Sequence, residues 1–276
     1  MNILFWNTNK KALHTEIYDL VEEYEVSILI LVENIEEEEI TLVEKLRYFS
    51  DFKFVENKIF KKARIYFDDP IIGIEEVHGH TRYGIYSIEL IDHKRIILGV
   101  VHFPSKLNWG NSGDHLGLCV QLRSDIETIE KAIGIKNTFI VGDFNMNPFE
   151  EGLVNASGLN NVNVKSIALN RLKNIYKVNY DSFYNPMWNF FGEFSRGKTP
   201  GTHFYNSAKY INHYWNIYDQ VMIRPELLHS FMEDELDIVT KIKGSSLLKI
   251  VNNIEVVDSS ISDHLPLFLK FNIFKL

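Results

Sequence analysis

The chain has 276 residues, of which 45% are hydrophobic and 24% charged, and its formal net charge of -8 argues against a protein that coats nucleic acid with a basic face. The length fits a single domain over residues 1–276, because large sandwich folds commonly reach this size without splitting, and no linker marks a second domain. There is no signal peptide and no apolar run of the roughly 20 residues that cross a bilayer, and the lone Cys119 excludes an internal disulfide, so we expect a cytoplasmic protein.

Short apolar runs rich in Ile, Val and Phe predict buried strands, and four of these runs lead into a polar residue of catalytic type. Layered α/β proteins place much of their chemistry at strand ends. The repetition therefore predicts that one site gathers residues from several strands. The four runs are Ile3–Trp6 before Asn7, Ile28–Val32 before Glu33, Ile96–Val101 before His102, and Phe139–Val141 before Gly142 and Asp143.

Helical spacing of apolar residues predicts amphipathic helices between these strands, one over residues 13–24 and one over residues 122–133 with Gly134 as its stop signal. Four glutamates at 36–39 precede a third such pattern that ends at Leu46. We interpret them as the acidic first turn of a helix, and a metal-binding acidic cluster is the alternative. Antiparallel strands are predicted over residues 63–67, 71–77 and 83–91.

The segment Gly142-Asp143-Phe144-Asn145 places a carboxylate and an amide two positions apart, so both point to the same side of an extended chain. This pair suits the hydrolysis of phosphate esters, in which a carboxylate orients or deprotonates water and an amide holds a phosphoryl oxygen. An Asx-rich turn is the alternative interpretation, because Asn147 and Pro148 follow closely.

Near the carboxyl terminus, Ser262-Asp263-His264 places a carboxylate beside an imidazole on a tight turn. Such a turn can present a metal ligand together with a general base or a phosphate-binding group. A histidine that is merely buried and hydrogen-bonded is the alternative. Asp219 interrupts an apolar, strand-like run, and a buried carboxylate is costly unless it is paired. We therefore expect His264 to be the partner of Asp219.

Residues 161–216 carry seven basic residues against two acidic ones and are dense in aromatic rings. Cations among aromatic rings can hold phosphates and stack bases, which favours a nucleic-acid substrate and makes Trp188 a candidate contact. The alternative is that the rings belong to the core and the lysines solvate loops. Lys106, Arg64 and Arg82 are further candidates for phosphate contacts, with a solvated surface role as the alternative for each arginine.

Six segments, taken in chain order, resemble the successive motifs of the endonuclease/exonuclease/phosphatase superfamily, which includes pancreatic DNase and the abasic-site repair endonucleases. The resemblance spans residues 5–264. It implies a four-layer α/β/β/α sandwich whose two central sheets are mixed and largely antiparallel, with the active site at the edge where the motif loops meet. The segments are Phe5-Trp6-Asn7, Leu31-Val32-Glu33, Val101-His102, Gly142-Asp143-Phe144-Asn145, Asp219 and Ser262-Asp263-His264.

The resemblance also implies a Mg²⁺ or Mn²⁺ ion, with Glu33 as its principal ligand and Asn7 and Asp263 close to it. Oxygen ligands suit such hard cations. By the same resemblance, Asp143 would position or activate the attacking water. Asn145 would hold the scissile phosphate.

His264, oriented by Asp219, is implied to bind the phosphate or shuttle a proton. His102 matches the second histidine of the DNase-like and phosphatase branches, whereas many repair endonucleases carry a tyrosine there. The Asn-Gly loop with a following arginine, found in several repair endonucleases, has no counterpart, which weakens an abasic-site assignment. Gly201-Thr202-His203 resembles the superfamily's Gly-Thr segment and places His203 in the cleft.

These observations predict a metal-dependent phosphodiesterase that hydrolyses nucleic-acid phosphodiester bonds, most simply an endonuclease. A phosphatase or phosphodiesterase that acts on a small-molecule or lipid phosphate ester is the alternative, and the acidic overall charge is compatible with it. A catalytically silent binding module that has kept the fold is a third hypothesis. The oligomeric state and the choice between DNA and RNA stay open at this stage.

Overall fold

The computed structural model describes residues 1–35, 39–48, 50–106, 112–170, 174–193, 199–207 and 210–276. Within them the α-helices are α1 (His14–Glu23), α2 (Glu39–Leu46), α3 (Ser112–Ile133), α4 (Glu151–Val154) and α5 (Lys165–Asn170). The strands are β1 (Asn2–Asn7), β2 (Ile28–Val32), β3 (Lys53–Phe54), β4 (Ala63–Phe67), β5 (Ile71–Gly79), β6 (Tyr83–Leu90), β7 (Arg95–His102), β8 (Thr138–Asp143), β9 (Asn161–Val162), β10 (Asn174–Ile175), β11 (Val178–Asn179), β12 (Phe183–Tyr184), β13 (His203–Tyr205), β14 (Tyr214–Asn216), β15 (Asp219–Ile223), β16 (Asp237–Ile238), β17 (Lys241–Ile242), β18 (Ser245–Ser246), β19 (Leu248–Val251), β20 (Ile254–Val257) and β21 (Leu267–Lys270).

Two large sheets form the centre of the fold. The six-stranded sheet has the order β16-β21-β1-β2-β4-β3, and the seven-stranded sheet has the order β5-β6-β7-β8-β15-β12-β9. The pairs β1/β2, β7/β8 and β9/β12 are parallel, and the other described pairs of these two sheets are antiparallel. The prediction of two central mixed, largely antiparallel sheets is confirmed.

The sheets pack against each other, and alternate residues of a strand serve different layers because their side chains point to opposite faces. On β7, Leu98 belongs to the main core between the sheets, whereas Ile97 belongs to a second cluster that includes Leu122 of α3. Leu20 of α1 and Leu42 of α2 are buried in the main core, which also contains every residue of β2. Helices thus cover both outer faces, as in the predicted sandwich.

The predicted strands coincide closely with the observed ones. β2 and β4 have the predicted bounds, and β1, β7 and β8 extend far enough that Asn7, His102 and Asp143 are their last residues. A polar residue at the end of an apolar strand can keep the ladder hydrogen bonds of the backbone while its side chain leaves the core. Three of the four polar residues are therefore parts of the strands themselves, whereas Glu33 follows the last residue of β2.

The long helix α3 differs from the sequence expectation at its first turn. α3 begins at Ser112, ten residues earlier than predicted, because His115 and Cys119 are buried on the same face as Leu122. It ends before Gly134, whose φ of 80° is the left-handed conformation of a helix stop. The glutamates at 36–38 lie outside the described residues. Among the described residues, no helix is long and apolar enough to span a membrane.

Strand register brings the polar strand ends to one edge. Asp143 lies directly opposite His102 on β7 and opposite Asp219 on β15. In the other sheet, Asn7 lies opposite Val32, the residue immediately before Glu33. Strand ends of both sheets therefore lie at one edge. They bring together residues that are more than one hundred positions apart in the chain, such as Asn7 and Asp143.

Candidate active site

A cleft of about 700 Å³ opens at this edge. Ten of the thirteen predicted site residues line it, while Asp219 is fully buried and hydrogen-bonded to His264. Arg64 and Trp188 are not among the lining residues. The ten are Asn7, Glu33, Arg82, His102, Lys106, Asp143, Asn145, His203, Asp263 and His264.

Three N–H donors hold the Asp143 carboxylate. The backbone N–H of Asn145 donates to Oδ1 at 2.9 Å, and the side-chain amides of Asn7 and Asn145 each donate to Oδ2 at 3.1 Å. Nδ2 of Asn145 also donates to the carbonyl of Phe103 at 2.9 Å. Both Nδ2 hydrogens are then engaged, so Asn145 here orients Asp143. To hold a phosphoryl oxygen through its N–H, as the resemblance implies, it must exchange one of these bonds.

Three residues of the site, Gly142, Asn145 and Glu33, have positive φ angles. Gly142 has a φ of 155°, and a Cβ at this position would lie 2.1 Å from the carbonyl oxygen of Val101, so the close approach of β7 and β8 requires glycine. Asn145 and Glu33 adopt left-handed φ angles of 51° and 53°. Such conformations are costly for residues with a side chain and are concentrated at functional sites.

His264 and Asp219 form a buried pair. Nδ1 of His264 donates to Oδ2 of Asp219 across 2.8 Å, which leaves Nε2 as the ring nitrogen that can face a ligand. The hydroxyl of Thr202 accepts the backbone N–H of Asp219 at 3.1 Å, and the indole of Trp6 donates to the carbonyl of His264 at 2.9 Å. Both members of the pair are thereby anchored, one in each of the two sheet layers.

Buried charges determine the protonation of this pair and its neighbour Asp143. Burial by itself would lower the pKa of His264, but Asp219, Asp143 and Asp263 together raise it to about 10, so the imidazole is a cation at neutral pH. Burial raises the pKa of Asp143, and the negative charge of Asp219 adds to this effect. A raised pKa makes Asp143 a better proton acceptor than an ordinary carboxylate.

Glu33 contacts the second histidine of the cleft. Nε2 of His102 lies 3.1 Å from Oε1 of Glu33, and this hydrogen bond is the main reason why the pKa of Glu33 is lowered. Glu33 is therefore ionised over the whole neutral range. His102 is oriented by the contact, and its Nδ1 is buried without a hydrogen-bond partner among the described residues.

The donor set at this end of the cleft fits a hard divalent cation. Burial raises the pKa of Asp263, and the negative charge of Glu33 adds to the increase, so two cleft carboxylates repel each other. A divalent cation would relieve that repulsion, and carboxylate oxygens with the amide oxygen of Asn7 are the ligands that Mg²⁺ and Mn²⁺ prefer. Oδ1 of Asn7 already accepts the backbone N–H of Asn9 at 3.0 Å and keeps a second lone pair.

Two other groups of side chains bring possible ligand atoms within 4.8 Å of one another, and both contain His264. One combines it with Asp143 and Asp219, the other with His203 and Asp263. Nδ1 of His264 is engaged with Asp219, and Nδ1 of His203 lies 2.8 Å from the backbone carbonyl of Asp263. The first group is best described as a hydrogen-bonded proton network, and only Asp263 is shared with the predicted ligand set.

His203 lies in the cleft beside the imidazole of His264. Its ring centroid is 4.5 Å from that of His264 and 5.3 Å from that of Tyr218, on which it stacks. Burial, followed by the positive charge of His264, lowers the pKa of His203 to about 3. His203 is thus a neutral ring that packs against a cationic one.

Three of the four predicted substrate contacts outside the motifs have different surroundings. Lys106 lines the cleft but forms an ion pair with Glu150, and its ammonium lies 5.9 Å from the ring centroid of Tyr218. Arg64, on β4, donates to the carbonyl of Lys61 at 2.8 Å and is not among the lining residues. Trp188 is not among them either, and its ring packs edge-on against Phe149 with the centroids 6.2 Å apart.

The basic, aromatic stretch of residues 161–216 divides in the structure. Of its described basic residues, Lys165 pairs with Glu233 at 3.0 Å and lies away from the cleft, and Lys177 is exposed. Phe183 is core, whereas Tyr205 lines the cleft. Arg171, Lys173, Arg196, Lys198 and Lys209 lie outside the described residues.

Several cleft residues carry no motif and were not predicted. Phe149 and Glu150, which follow Pro148, line the cleft, as do Asn147 and Asn216, whose buried side chains are hydrogen-bonded at 2.9 Å. Only the closeness of Phe149 and Glu150 to the Asp143 motif in sequence could have indicated them. Arg82, named as a candidate phosphate contact, does line the cleft.

No protein-family model matches the chain, and no curated protein matches its sequence. Solved structures do match over the whole fold. An endonuclease/exonuclease/phosphatase family protein from Bacteroides thetaiotaomicron has a TM-score of 0.58 at 9% identity, covering 98% of this chain and 97% of that chain. TDP2 from D. rerio, complexed with a single-strand DNA product, has a TM-score of 0.57 at 15% identity, covering 99% and 98%.

A mannosyl-6-phosphatase from Bacteroides thetaiotaomicron has a TM-score of 0.58 at 9% identity, covering 98% of this chain and 99% of that chain. Identities in this range establish a shared fold. The chain therefore has the endonuclease/exonuclease/phosphatase fold that the six motifs of the sequence predict.

Proposed function

We propose that this protein is a divalent-metal-dependent phosphodiesterase of the endonuclease/exonuclease/phosphatase superfamily and that its substrate is nucleic acid. One observation carries the proposal: the buried carboxylate of Asp143 and the imidazole of His264 have polar atoms within 4.8 Å of each other, and both side chains line the cleft. A phosphodiester needs both groups, one for the attacking water and one for the negative charge of the phosphoryl oxygens.

Asp143 is positioned to act on water. Its three N–H donors hold the carboxylate in one orientation, and at least one of its four lone-pair sites stays available for a water hydrogen. Fixing a water beside the phosphorus replaces a diffusive encounter with an oriented one, which is a large part of the rate gain in hydrolysis. Asn7 and Asn145 act in this step as positioning residues.

His264 stabilises charge on the substrate. Because Nδ1 of His264 is bound to Asp219, its Nε2–H can donate to a phosphoryl oxygen. The positive charge of the ring would then stabilise the negative charge that builds up on this oxygen in the transition state. The buried Asp219 keeps the ring protonated and fixed in rotation. Preorganised donors of this kind need no rearrangement when the reaction occurs.

Glu33, Asp263 and Asn7 would hold Mg²⁺ or Mn²⁺, and the ion supplies positive charge against the phosphoryl and leaving oxygens. The contact of His102 with Glu33 orients this carboxylate and fixes its ionised state. Hydrogen bonds to the outer side of metal ligands typically strengthen metal binding. His102 thus serves the metal site through Glu33.

Two structural neighbours support a phosphate ester as substrate and differ in its kind: one was solved with single-strand DNA, and the other is a sugar phosphatase. We favour nucleic acid because the cleft is open and lined by aromatic and amide side chains as well as by Arg82 and Lys106. A small monoester would need a more enclosed pocket with several unpaired cations, yet Lys106 is paired with Glu150.

Incubation with single-stranded DNA, RNA, duplex DNA, bis(p-nitrophenyl) phosphate and a panel of sugar phosphates, each in Mg²⁺, Mn²⁺ and EDTA, tests the proposal. We expect metal-dependent cleavage of a polynucleotide. Asp143→Asn, which keeps the size of the side chain, should reduce the rate about 10²–10⁴-fold. Phosphate release from sugar phosphates alone would select the alternative, and hydrolysis unaffected by Asp143→Asn would sink the assignment.

A further inference from the structure

Two aromatic rings, those of Phe149 and His213, line the cleft with their centroids 5.5 Å apart and form an aromatic wall. Two further rings that are not among the cleft lining pack edge-on against Phe149, Phe191 at 5.6 Å and Trp188 at 6.2 Å. None of these rings takes part in the proposed reaction. Phe149 is nevertheless 39% exposed, although a ring that only filled the core would be buried.

Charges next to the aromatic wall disfavour a phosphate at this end. Lys106, which lines the same cleft as Phe149, is paired with Glu150, and Glu150 also accepts the backbone N–H of Asn147 at 2.8 Å. The carboxylate is therefore fixed in position, and it compensates the charge of the lysine. Among the described residues, this pair offers a second phosphate no net positive charge, whereas an uncharged group would meet no penalty.

Polar side chains line the same cleft as the aromatic wall. Asn147 and Asn216 are buried and hydrogen-bonded to each other, whereas Asn212 is half-buried. A planar heterocycle suits such a lining, since it has an apolar face for the exposed ring of Phe149 and polar edges for neighbouring polar groups.

The other end of the cleft is suited to an anion. Arg82 lines it next to Glu33 and His102, and its carbonyl accepts the backbone N–H of His102 at 3.0 Å. A guanidinium on the cleft lining can bind a phosphate through parallel N–H donors, and its charge does not depend on pH in the neutral range.

We propose that the cleft binds one unpaired nucleic-acid strand, with a nucleobase stacked on Phe149 and His213 at one end and a neighbouring phosphate beside Arg82 at the other. The inference rests on the proposed function and specifies its substrate. A base in a duplex has both faces covered by its neighbours and cannot lie on a protein ring without being extracted. The aromatic wall therefore selects single strands, or ends and loops, over an intact duplex.

The test combines one protein change with one substrate change. The substrates are a set of single-stranded oligonucleotides, each of which lacks the base at one position, and this position moves by one nucleotide from each oligonucleotide to the next. Their cleavage is measured with the wild type, with Phe149→Ala and with Phe149→Trp. We expect one position at which removal of the base lowers kcat/KM of the wild type about 10–100-fold. Phe149→Ala should lose about as much on the complete strand and little more on that base-free strand. Phe149→Trp, which keeps a stacking face, should retain most of the wild-type value.

Phe54→Ala is the matched control, because Phe54 has the same 39% exposure and one ring neighbour, Tyr66, but lies on β3 away from the cleft. Circular dichroism checks the fold of each variant. If Phe149→Ala does not fold, Phe149→Leu replaces it, and the base-removal series on the wild type stands by itself. A duplex should be cleaved at least tenfold more slowly than the single strand.

Three results separate the possible failures. If Phe149→Ala lowered kcat/KM relative to the wild type by the same factor on the complete strand and on every strand that lacks one base, the proposed stacking of a base would be overturned. A duplex cleaved as fast as a single strand would overturn the selection for unpaired substrate. In both cases the protein still cleaves nucleic acid, so the proposed function survives. If the wild type cleaves no polynucleotide, the proposed function fails, and with it this inference.

Discussion

Nδ1 of His264 lies 2.8 Å from Oδ2 of Asp219, and the contact joins the two central sheets across the candidate active site. Asp219 begins β15 of the seven-stranded sheet, whereas His264 precedes β21 of the six-stranded sheet. Asp219 is fully buried, and its Oδ1 has no hydrogen-bond partner among the described residues. The charge of the carboxylate is thus directed to one imidazole.

Replacing Asp219 with asparagine removes this charge and keeps the shape of the side chain. We expect kcat on bis(p-nitrophenyl) phosphate to fall about 10²–10⁴-fold with a much smaller change in KM, because the loss concerns a cation needed mainly in the transition state. Asp258→Asn is the control, since Asp258 pairs with Lys249 outside the cleft. A kcat of Asp219→Asn within twofold of the wild type would contradict the role assigned to the pair.

Glu33→Gln should weaken the binding of Mn²⁺ at least tenfold, because it replaces the main anionic ligand with a neutral amide and alters the contact with His102. Isothermal titration calorimetry of the apoprotein measures the affinity directly. Glu89→Gln, at an exposed position on β6, controls for the loss of one negative charge. An unchanged affinity in Glu33→Gln would remove Glu33 from the metal site.

A buried ion pair outside the site supports the seven-stranded sheet. The guanidinium of Arg224 donates to both carboxylate oxygens of Glu130, from Nε at 2.9 Å and from Nη2 at 3.2 Å, and both side chains are about 1% exposed. The hydroxyl of Thr138 donates to the same carboxylate at 2.8 Å. The arrangement fastens α3 to the segment that follows β15.

Glu130→Gln should lower the free energy of unfolding by about 3–5 kcal/mol, because it leaves a buried guanidinium without its counter-charge. The double variant Glu130→Leu with Arg224→Met should cost less, since it removes both charges and keeps the volume roughly constant. Urea unfolding followed by circular dichroism provides both values. If the double variant were the less stable of the two, the account of this pair would be wrong.

His115 predicts a pH dependence of stability. Its Nε2 donates to the carbonyl of Pro104 at 2.9 Å, and burial lowers its pKa from the ordinary 6.5. The unfolded chain therefore binds this proton more readily than the folded protein does. Stability from this group is complete above pH 6.5 and is lost as the pH falls below 6.5 towards the lower folded pKa.

His115→Gln keeps a donor for Pro104 and cannot be protonated, so its free energy of unfolding should fall less between pH 7.5 and pH 5.5 than that of the wild type. Urea titrations at both pH values measure the slope, and His93→Gln, at an exposed turn, is the matched histidine control. A slope for His115→Gln as steep as that of both the wild type and His93→Gln would show that His115 does not cause the dependence.

Much of the fold could be predicted from the sequence, together with ten of the 24 residues that line the cleft. The apolar runs before Asn7, Glu33, His102 and Asp143 predict buried strands, because a strand that is buried on both faces has an uninterrupted run of apolar residues in the sequence. The polar residue after each run then marks the strand end. Asp219 was predictable for a related reason, since a carboxylate within an apolar strand requires a partner.

The tertiary structure alone decided which of the remaining side chains meet. Trp188 and Arg64 are not among the residues that line the cleft, and Trp188 packs against Phe149. Lys106 lines the cleft but is paired with Glu150. All three had been candidate substrate contacts. Each outcome depends on packing between segments that have no common pattern in sequence. Hydrophobic periodicity and turn chemistry are local and can be read from consecutive residues. Strand register and sheet packing are not local, and they determine the contacts of every side chain at the cleft.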